Sequence, residues 1–357
     1  MADFTIEELV VPATLDGSPA AVDFEQTVDA RNAAEAVSYG AGMEFTAAEL
    51  LPGWQDNAHE IRRLFGARVD GRIVARGVYE TRKQGDAVST AWLHVSVHPD
   101  FTRRGIGRAL ADRVEGLAVE EGKERIHVYA ASSPAEGPRL SPTSGVGSLP
   151  ADGRETRFLL ARDYTLGQIE RGSRLALPVD PQLLAERRAI AEAASTDYRV
   201  RLWVSHAPEE LLEDLALLVT RMSTDVPTGG VEEDEDLWTV ERWLEHEKQQ
   251  DASPRVIVYA AAEHIESGRL AGYTELNVPA ETDRKVDQGD TIVLREHRGH
   301  RLGMLLKVAN IQHLEEQFPG HPSIVTFNAE ENRYMLDVNE AVGFEPFVYE
   351  GAWQKKL

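Results

Sequence analysis

Val95-Ser96-Val97-His98-Pro99-Asp100-Phe101-Thr102-Arg103-Arg104-Gly105-Ile106-Gly107-Arg108 is the stretch on which the reading of this chain turns. A strand over residues 91–97 hands over to a short loop, which opens into a segment whose Leu110, Val114, Leu117 and Ala118 recur at helical spacing. Glycines in such a loop permit positive φ and close approach, so successive backbone N–H groups converge on one point. The helix that follows aims the positive end of its dipole at the same place, and Arg103, Arg104 and Arg108 add charge around it. This is a cradle for an anion, and a diphosphate is its natural ligand. A Gly-x-Gly also serves wherever a helix N-terminus needs small residues, so the surroundings must decide between the two.

The surroundings repeat. Upstream, Ala67-Arg68-Val69, the turn Asp70-Gly71-Arg72 and the β-rich residues 73–80 read as a hairpin, and residues 256–260, a turn at Ser267-Gly268-Arg269 and residues 270–276 spell the same unit again. The strand at 91–97 is matched by residues 290–294, each entering a basic, glycine-containing loop; Gly107 and Gly303 stand 196 residues apart, as do Val97 and Val293. The second loop opens a helix striped by Leu302, Leu305, Leu306 and Ala309, and strands at 126–129 and 324–327 complete two strand-helix-strand units.

Beyond that the copies diverge. Residues 131–153 carry Ser133-Pro134, Ser141-Pro142 and Leu149-Pro150 and are expected to form an irregular, mobile loop. The second copy instead runs from its strand into a helix expected over 328–339, ending near Gly343-Phe344. Leu177-Pro178, Asp180-Pro181 and a helical stretch at 182–194 form a connector, which places the domains at 1–176 and 198–357 with a linker at 177–197.

Size and composition agree with two domains. A chain of 357 residues exceeds what one small core organises, and 42% hydrophobic with 27% charged residues is the balance of a soluble globular protein. No apolar run of about 18 residues and no basic, apolar leader follows Met1-Ala2-Asp3, so a cytoplasmic location is expected. The absence of cysteine rules out disulfides, thiolate metal sites and a cysteine acyl-enzyme. A formal charge of −22 argues against nucleic acid or an anionic membrane as partner and suits a cationic one, although acidity also serves solubility alone.

The loops resemble the Arg/Gln-x-x-Gly-x-Gly/Ala motif of the GNAT acyltransferase superfamily, and the resemblance extends over both halves in hairpin, strand, loop, helix and strand order. It implies two tandem GNAT folds, an α/β (α+β) architecture in which each half is a splayed mixed β-sheet flanked by helices, and it implies acetyl-CoA as the acyl donor. On that resemblance Val95 and Val97 contact the pantetheine arm through their backbones while Arg103, Arg104, Gly105, Ile106, Gly107 and Arg108 hold the phosphates. In the second copy Val293 and Leu294 take the arm, and Arg298, Gly299, His300, Arg301, Leu302 and Gly303 take the phosphates. Thr102 stands where the family has Arg or Gln, and Arg301 stands at the first motif glycine. The family's Asn-x-x-Ala-x-x-Leu-Tyr and Gly-Phe pattern places Asn332 on the cofactor and Gly343-Phe344 at its end, but Asn339 occupies the tyrosine position. Asparagine can donate a hydrogen bond but not deliver a proton, so Tyr334, water or an unassisted thiolate are the alternatives. The first copy has only Asp163-Tyr164 at the corresponding place.

Transfer of an acyl group from thioester to amine needs a neutral amine near the carbonyl, stabilisation of the oxyanion and an exit for thiolate; no metal is required. The strand entering each loop flanks the thioester, which makes His94 and its counterpart Asp290 candidates for base, cation binding or water orientation. Residues 225–236 hold six carboxylates in twelve residues and, in a GNAT fold, border the acceptor site; Asp225 and Glu232 are the residues expected to bind a cationic small-molecule or peptide amine. The same run also reads as a solvated loop. Trp203, Trp238 and Trp243 suit an acceptor pocket or a core. The intact 332–344 element points to the second half as the catalytic one, with the better glycine loop of the first half as the opposite assignment. A non-catalytic CoA-binding sensor is the rival reading, whereas a dinucleotide oxidoreductase lacks its Gly-x-Gly-x-x-Gly.

Overall fold

The computed structural model describes residues 4–55, 58–83, 86–225, 229 and 235–357. In chain order the elements are β1 (Thr5–Glu8), α1 (Pro19–Tyr39), α2 (Ala47–Trp54), β2 (Glu60–Val69), β3 (Arg72–Arg82), β4 (Thr90–Val97), α3 (Ile106–Glu120), β5 (Arg125–Ala131), β6 (Arg139–Leu140), β7 (Leu149–Pro150), α4 (Arg154–Leu160) and β8 (Thr165–Ala176). There follow α5 (Pro181–Ala194), β9 (Tyr198–Val204), α6 (Leu212–Asp225), α7 (Val240–Asp251), β10 (Val256–His264), β11 (Leu270–Val278), β12 (Val286–Val293), α8 (Leu302–Gln317), β13 (Ser323–Ala329), α9 (Arg333–Val342) and β14 (Glu345–Lys356). Two compact units result. The chain leaves the first unit after Ile169, inside β8, and re-enters it at Val348, inside β14.

In the first unit the strands run β1-β2-β3-β4-β5-β14. The β2–β3 hairpin closes on Asp70 and Gly71, both with positive φ (47° and 82°), which is the backbone a two-residue turn needs to match strand twist. β4 and β5 run parallel but pair only over Thr90–Trp92 and Arg125–His127; beyond that point they diverge, leaving residues 93–97 with an open edge. The apolar stripe of α3 covers one face of this sheet, where Leu110, Val114 and Leu117 pack with Phe65, Tyr79, Ile126 and Trp353. Gly77 lets α3 come close, since a Cβ there would stand 3.3 Å from both Leu110 and Val114. The opposite face is covered by α1 and α2 through Phe24, Val28 and Leu51. α2 is fixed at its start by a capping box between Thr46 and Glu49.

The second unit repeats the plan with strand order β8-β13-β12-β11-β10-β9. Here β12 and β13 pair in parallel only at Val286–Asp287 with Ile324–Val325, so the strand entering the loop again splays. α8 is buried all round rather than on one stripe, because α5 packs over it: Leu184 and Ala191 join Leu305, Leu306 and Val308 in one cluster. The helical stretch of the connector is thus α5, a working part of the second core. Trp203 and Trp243 belong to the core on the other face, with Tyr259 and Tyr273.

Two local expectations need correction. Residues 131–153 are pinned rather than free: β6 pairs with β7, Thr143 and Ser144 donate backbone hydrogen bonds to Leu166 and Gly167, and Leu149 is buried. The helix expected from residue 328 starts at Arg333, because Asn328 and Ala329 finish β13 and Asn332 caps the helix, its side-chain oxygen accepting from the Met335 amide at 3.3 Å.

Candidate functional site

The two loops share an unusual backbone. In the first, Arg103 and Gly105 have φ of 60° and 87°; in the second, the register-equivalent Gly299 and Arg301 have 91° and 56°. Each loop therefore carries two left-handed residues two apart, one borne by glycine and one by arginine, in opposite order. Such a sequence turns consecutive N–H groups to one side and makes a concavity for an anion at the start of α3 or α8. Arg301, the departure from the family motif, simply adopts the left-handed cap conformation that Gly105 adopts in the first copy, at a cost of about 1–2 kcal/mol for a residue with a Cβ.

In the first unit this concavity is one end of a cavity of about 570 Å³. Thr102, Arg103, Gly105, Gly107 and Arg108 line that end, Val95 and Val97 one wall, Val128 and Ala130 the other, and Glu35, Ser38, Tyr39, His94 and Ser96 the far end. The cavity is the gap left by the divergence of β4 from β5. Its shape follows from packing: a Cβ on Gly107 would already touch Val97 at 3.4 Å, and Ala111 is the small residue facing the slot from α3. Arg104 contributes less than expected, since its guanidinium bonds the Asp100 carbonyl at 2.9 Å and lies over the Phe101 ring; Ile106 is buried in the core, leaving only its amide.

At the far end His94 accepts or donates one short bond, 2.7 Å to the Ser96 hydroxyl. Burial, with Arg76 and Arg31 nearby, pulls its imidazole down to about 3, so it is neutral at physiological pH and too weak a base to take a proton from an ammonium group. The stronger candidate was not found from the sequence. Glu350, on the part of β14 paired to β5, is buried and accepts a hydrogen bond from the Tyr39 hydroxyl, and burial raises its carboxyl to about 7, the range a base needs. Tyr39 itself is pushed well above the usual phenol range by burial and by Glu350. Only the pairing of β14 with β5 could reveal Glu350, because in sequence it lies at the end of the second repeat. On α4, Arg154, Glu155, Phe158 and Leu159 line the cavity, and Tyr164 just beyond it does too, its hydroxyl donating to Glu115 at 3.2 Å.

In the second unit a lysine stands where the first has Ala111. Lys307 stands 196 residues after Ala111, is 2% exposed, and puts its amine 3.2 Å from Gln288 Oε1 of the splayed strand and 5.7 Å from the Phe344 ring. Val293, Leu294 and Leu302 are buried, the first and last in the core under α8 and Leu294 in the core of the other face. Arg298, in the family's first motif position, bonds the Val293 carbonyl through Nε at 3.1 Å, and Asp225 pairs with Arg295 and Arg298 at 3.1 and 3.7 Å. Asp225 thus braces the loop. Glu232 lies outside the described residues. Tyr334 is half-exposed and stands over the loop, within 3.7 Å of where a Gly303 Cβ would be, beside Arg298 and Arg301; Gly299 and His300 are exposed there too. Asn339 is buried and donates to Asn328 Oδ1 at 2.7 Å, a core contact rather than a free donor. Asp290 accepts from the Tyr273 hydroxyl at 3.1 Å, and it is coupled to Glu275; burial raises both carboxyls, and the Asp290 charge raises Glu275 further.

Residues 29–136 match the family model described as Acetyltransferase (GNAT) family. No curated protein sequence matches the chain. Among solved structures, a tandem GNAT protein from the clavulanic acid biosynthesis pathway, determined without acetyl-CoA, superimposes with a TM-score of 0.74 at 23% identity, over 99% of this chain and 98% of that one. A GCN5-related N-acetyltransferase from Sphaerobacter thermophilus gives 0.58 at 16% identity over 99% and 95%. Saccharomyces cerevisiae N-myristoyltransferase with bound myristoyl-CoA gives 0.55 at 11% identity over 99% and 78%. The chain therefore contains a GNAT acetyltransferase domain at 29–136 and has the tandem GNAT fold over its length. No helix among the described residues is long and apolar enough to cross a membrane.

Proposed function

We propose that the first unit binds acetyl-CoA and transfers its acetyl group directly to a primary amine of a small molecule or peptide. The observation that carries this reading is the cavity joining the anion cradle at residues 103–108, through the β4–β5 gap, to Tyr39, whose hydroxyl is hydrogen-bonded to Glu350. The cradle amides and Arg103 and Arg108 would hold the diphosphate, and the open edge of residues 93–97 would hydrogen-bond the pantetheine arm and meet the thioester oxygen. The thioester supplies an activated carbonyl and a good leaving group. Glu350 removes the ammonium proton and Tyr39 fixes its orientation; His94 holds Ser96 in place. The chain has no cysteine, so no thiol acyl-enzyme intervenes, and on this reading the amine attacks the thioester without another nucleophile between them. The departing thiolate takes its proton from solvent or from Tyr129, which lines the cavity on β5.

The second unit is read as the supporting partner, since Lys307 occupies the place where Ala111 leaves room. Calorimetric titration with acetyl-CoA tests both statements. One site is expected, lost in Gly105→Glu and kept in Gly303→Glu. Two sites would return the second unit to cofactor binding, and none would sink the acyltransferase reading.

A further inference from the structure

Four arginines are buried among the described residues: Arg76, Arg171, Arg242 and Arg255, at 7 to 8% exposure. Three have carboxylate partners, Arg171 with Glu340 at 2.8 Å, Arg242 with Asp236 at 2.6 Å and Arg255 with Asp287 at 2.7 Å. Arg76 has none. Its Nε is buried without a hydrogen-bond partner, and of the two charges that act on it Arg31 repels it while Glu35 is already held by Arg31 at 2.5 Å. Burial lowers the Arg76 guanidinium to about 9, which still leaves it charged at neutral pH. A buried cation without a counter-ion is costly, and such groups persist where a partner arrives from outside.

The position of Arg76 says where that partner comes from. Arg76 pairs with Ser96 and Val78 with His94 across β3 and β4, and residues opposite one another project from the same face. The Arg76 side chain therefore lies on the face of His94 and Ser96, which line the cavity with Glu35 and Tyr39; Arg76 itself stands on the neighbouring strand, outside that lining, so a ligand group reaches it only past those side chains. We propose that Arg76 takes up a carboxylate of a bound substrate, so that the chemistry served by this cavity includes an amine or an acyl chain that carries a carboxylate. The carboxylate can arrive on the acceptor, as in an amino acid whose ammonium group faces Glu350, or at the far end of a dicarboxylic acyl chain. The fork of the guanidinium suits either bidentately, whereas an acetyl group and a simple amine leave it unpaired. The identity of the two substrates rests on the acyltransferase reading, but the carboxylate site does not.

The test is calorimetry on wild type, Arg76→Met and Arg76→Lys with matched probes. L-ornithine is set against putrescine, L-phenylalanine against phenethylamine and L-leucine against isoamylamine; succinyl-CoA is set against acetyl-CoA. At least a tenfold preference for the carboxylate-bearing member is expected in the amine pairs or in the thioester pair, according to the source of the carboxylate. Arg76→Met should erase it, Arg76→Lys should keep part of it, and acetyl-CoA affinity should be the same in all three proteins. Equal binding within every pair, or a preference that survives in Arg76→Met, overturns the proposal. So does a urea midpoint of ligand-free Arg76→Met below that of wild type, because an unpaired charge replaced by an apolar chain of similar length should not destabilise. Failure of both thioesters to bind would refute the acyltransferase reading alone, and the amine pairs would still decide on Arg76.

Discussion

Replacing Lys307 by methionine is expected to stabilise the protein at neutral pH, and the size of the effect follows from its surroundings. The side chain is 2% exposed, its amine has Gln288 Oε1 at 3.2 Å, and burial lowers it from the ordinary 10.5 to about 7. That fall, at about 1.36 kcal/mol per tenfold change in acidity, corresponds to an upper bound of about 5 kcal/mol. The direction in pH is fixed by linkage. Between pH 7 and 10.5 the unfolded chain binds this proton and the folded protein does not, so stability should rise with pH across that window. Methionine fills the same slot without a charge but leaves the Gln288 oxygen without its donor, a loss of about 1–2 kcal/mol, so the net gain at pH 7 is about 3 kcal/mol. At a urea dependence of about 2–3 kcal/mol per molar this is a rise in midpoint of about 1 M. Urea unfolding of both proteins at pH 7 and pH 9.5 measures it: the variant should lead at pH 7 and the gap should narrow at pH 9.5. A lower midpoint for Lys307→Met at pH 7, or a gap that does not change with pH, would show that the lysine is not a buried amine forced neutral by the fold.

Glu350→Gln should lower kcat/KM by about 10² or more, as for loss of a general base, and abolish the fall in rate below pH 7 that protonation of the wild-type carboxylate produces; a pH–rate profile with an amine that wild type accepts checks both. Asp290→Asn removes the charge that helps to raise Glu275. A carboxyl raised on folding stabilises at low pH and loses that contribution as pH rises through its folded value, so the loss of stability above pH 5 should be smaller in Asp290→Asn than in wild type, which urea midpoints between pH 5 and 8 will show.

Much of this protein could be read before its structure. The hairpin at Asp70-Gly71, the loop at 98–108 and the apolar stripe of α3 are local signals: turn chemistry, positive-φ glycine and helical periodicity each act over a few residues, and all three appear where expected. Repetition at a spacing of 196 residues then made the tandem architecture legible, because two copies of one packing problem must have one solution. Two shorter elements differ from expectation for local reasons too: Asn332 is a cap rather than a mid-helix residue, and Leu149 is an anchor inside a proline-rich run.

What the chain order could not disclose was which groups meet. Glu350 was assigned to the second repeat by position, yet β14 pairs with β5 and sets it beside Tyr39, more than three hundred residues away in sequence. Nothing in the sequence singles out Lys307, and only the folded chain buries it, with Gln288 of β12 and Phe344 around its amine. Arg76 carries no signal in the sequence; in the fold α1 packs against its strand and brings Glu35 near, but that carboxylate is paired with Arg31. Backbone conformation is set by neighbours in sequence and leaves its mark there. Desolvation and counter-charge depend on which distant segments cover a side chain, and those are properties of the folded chain alone.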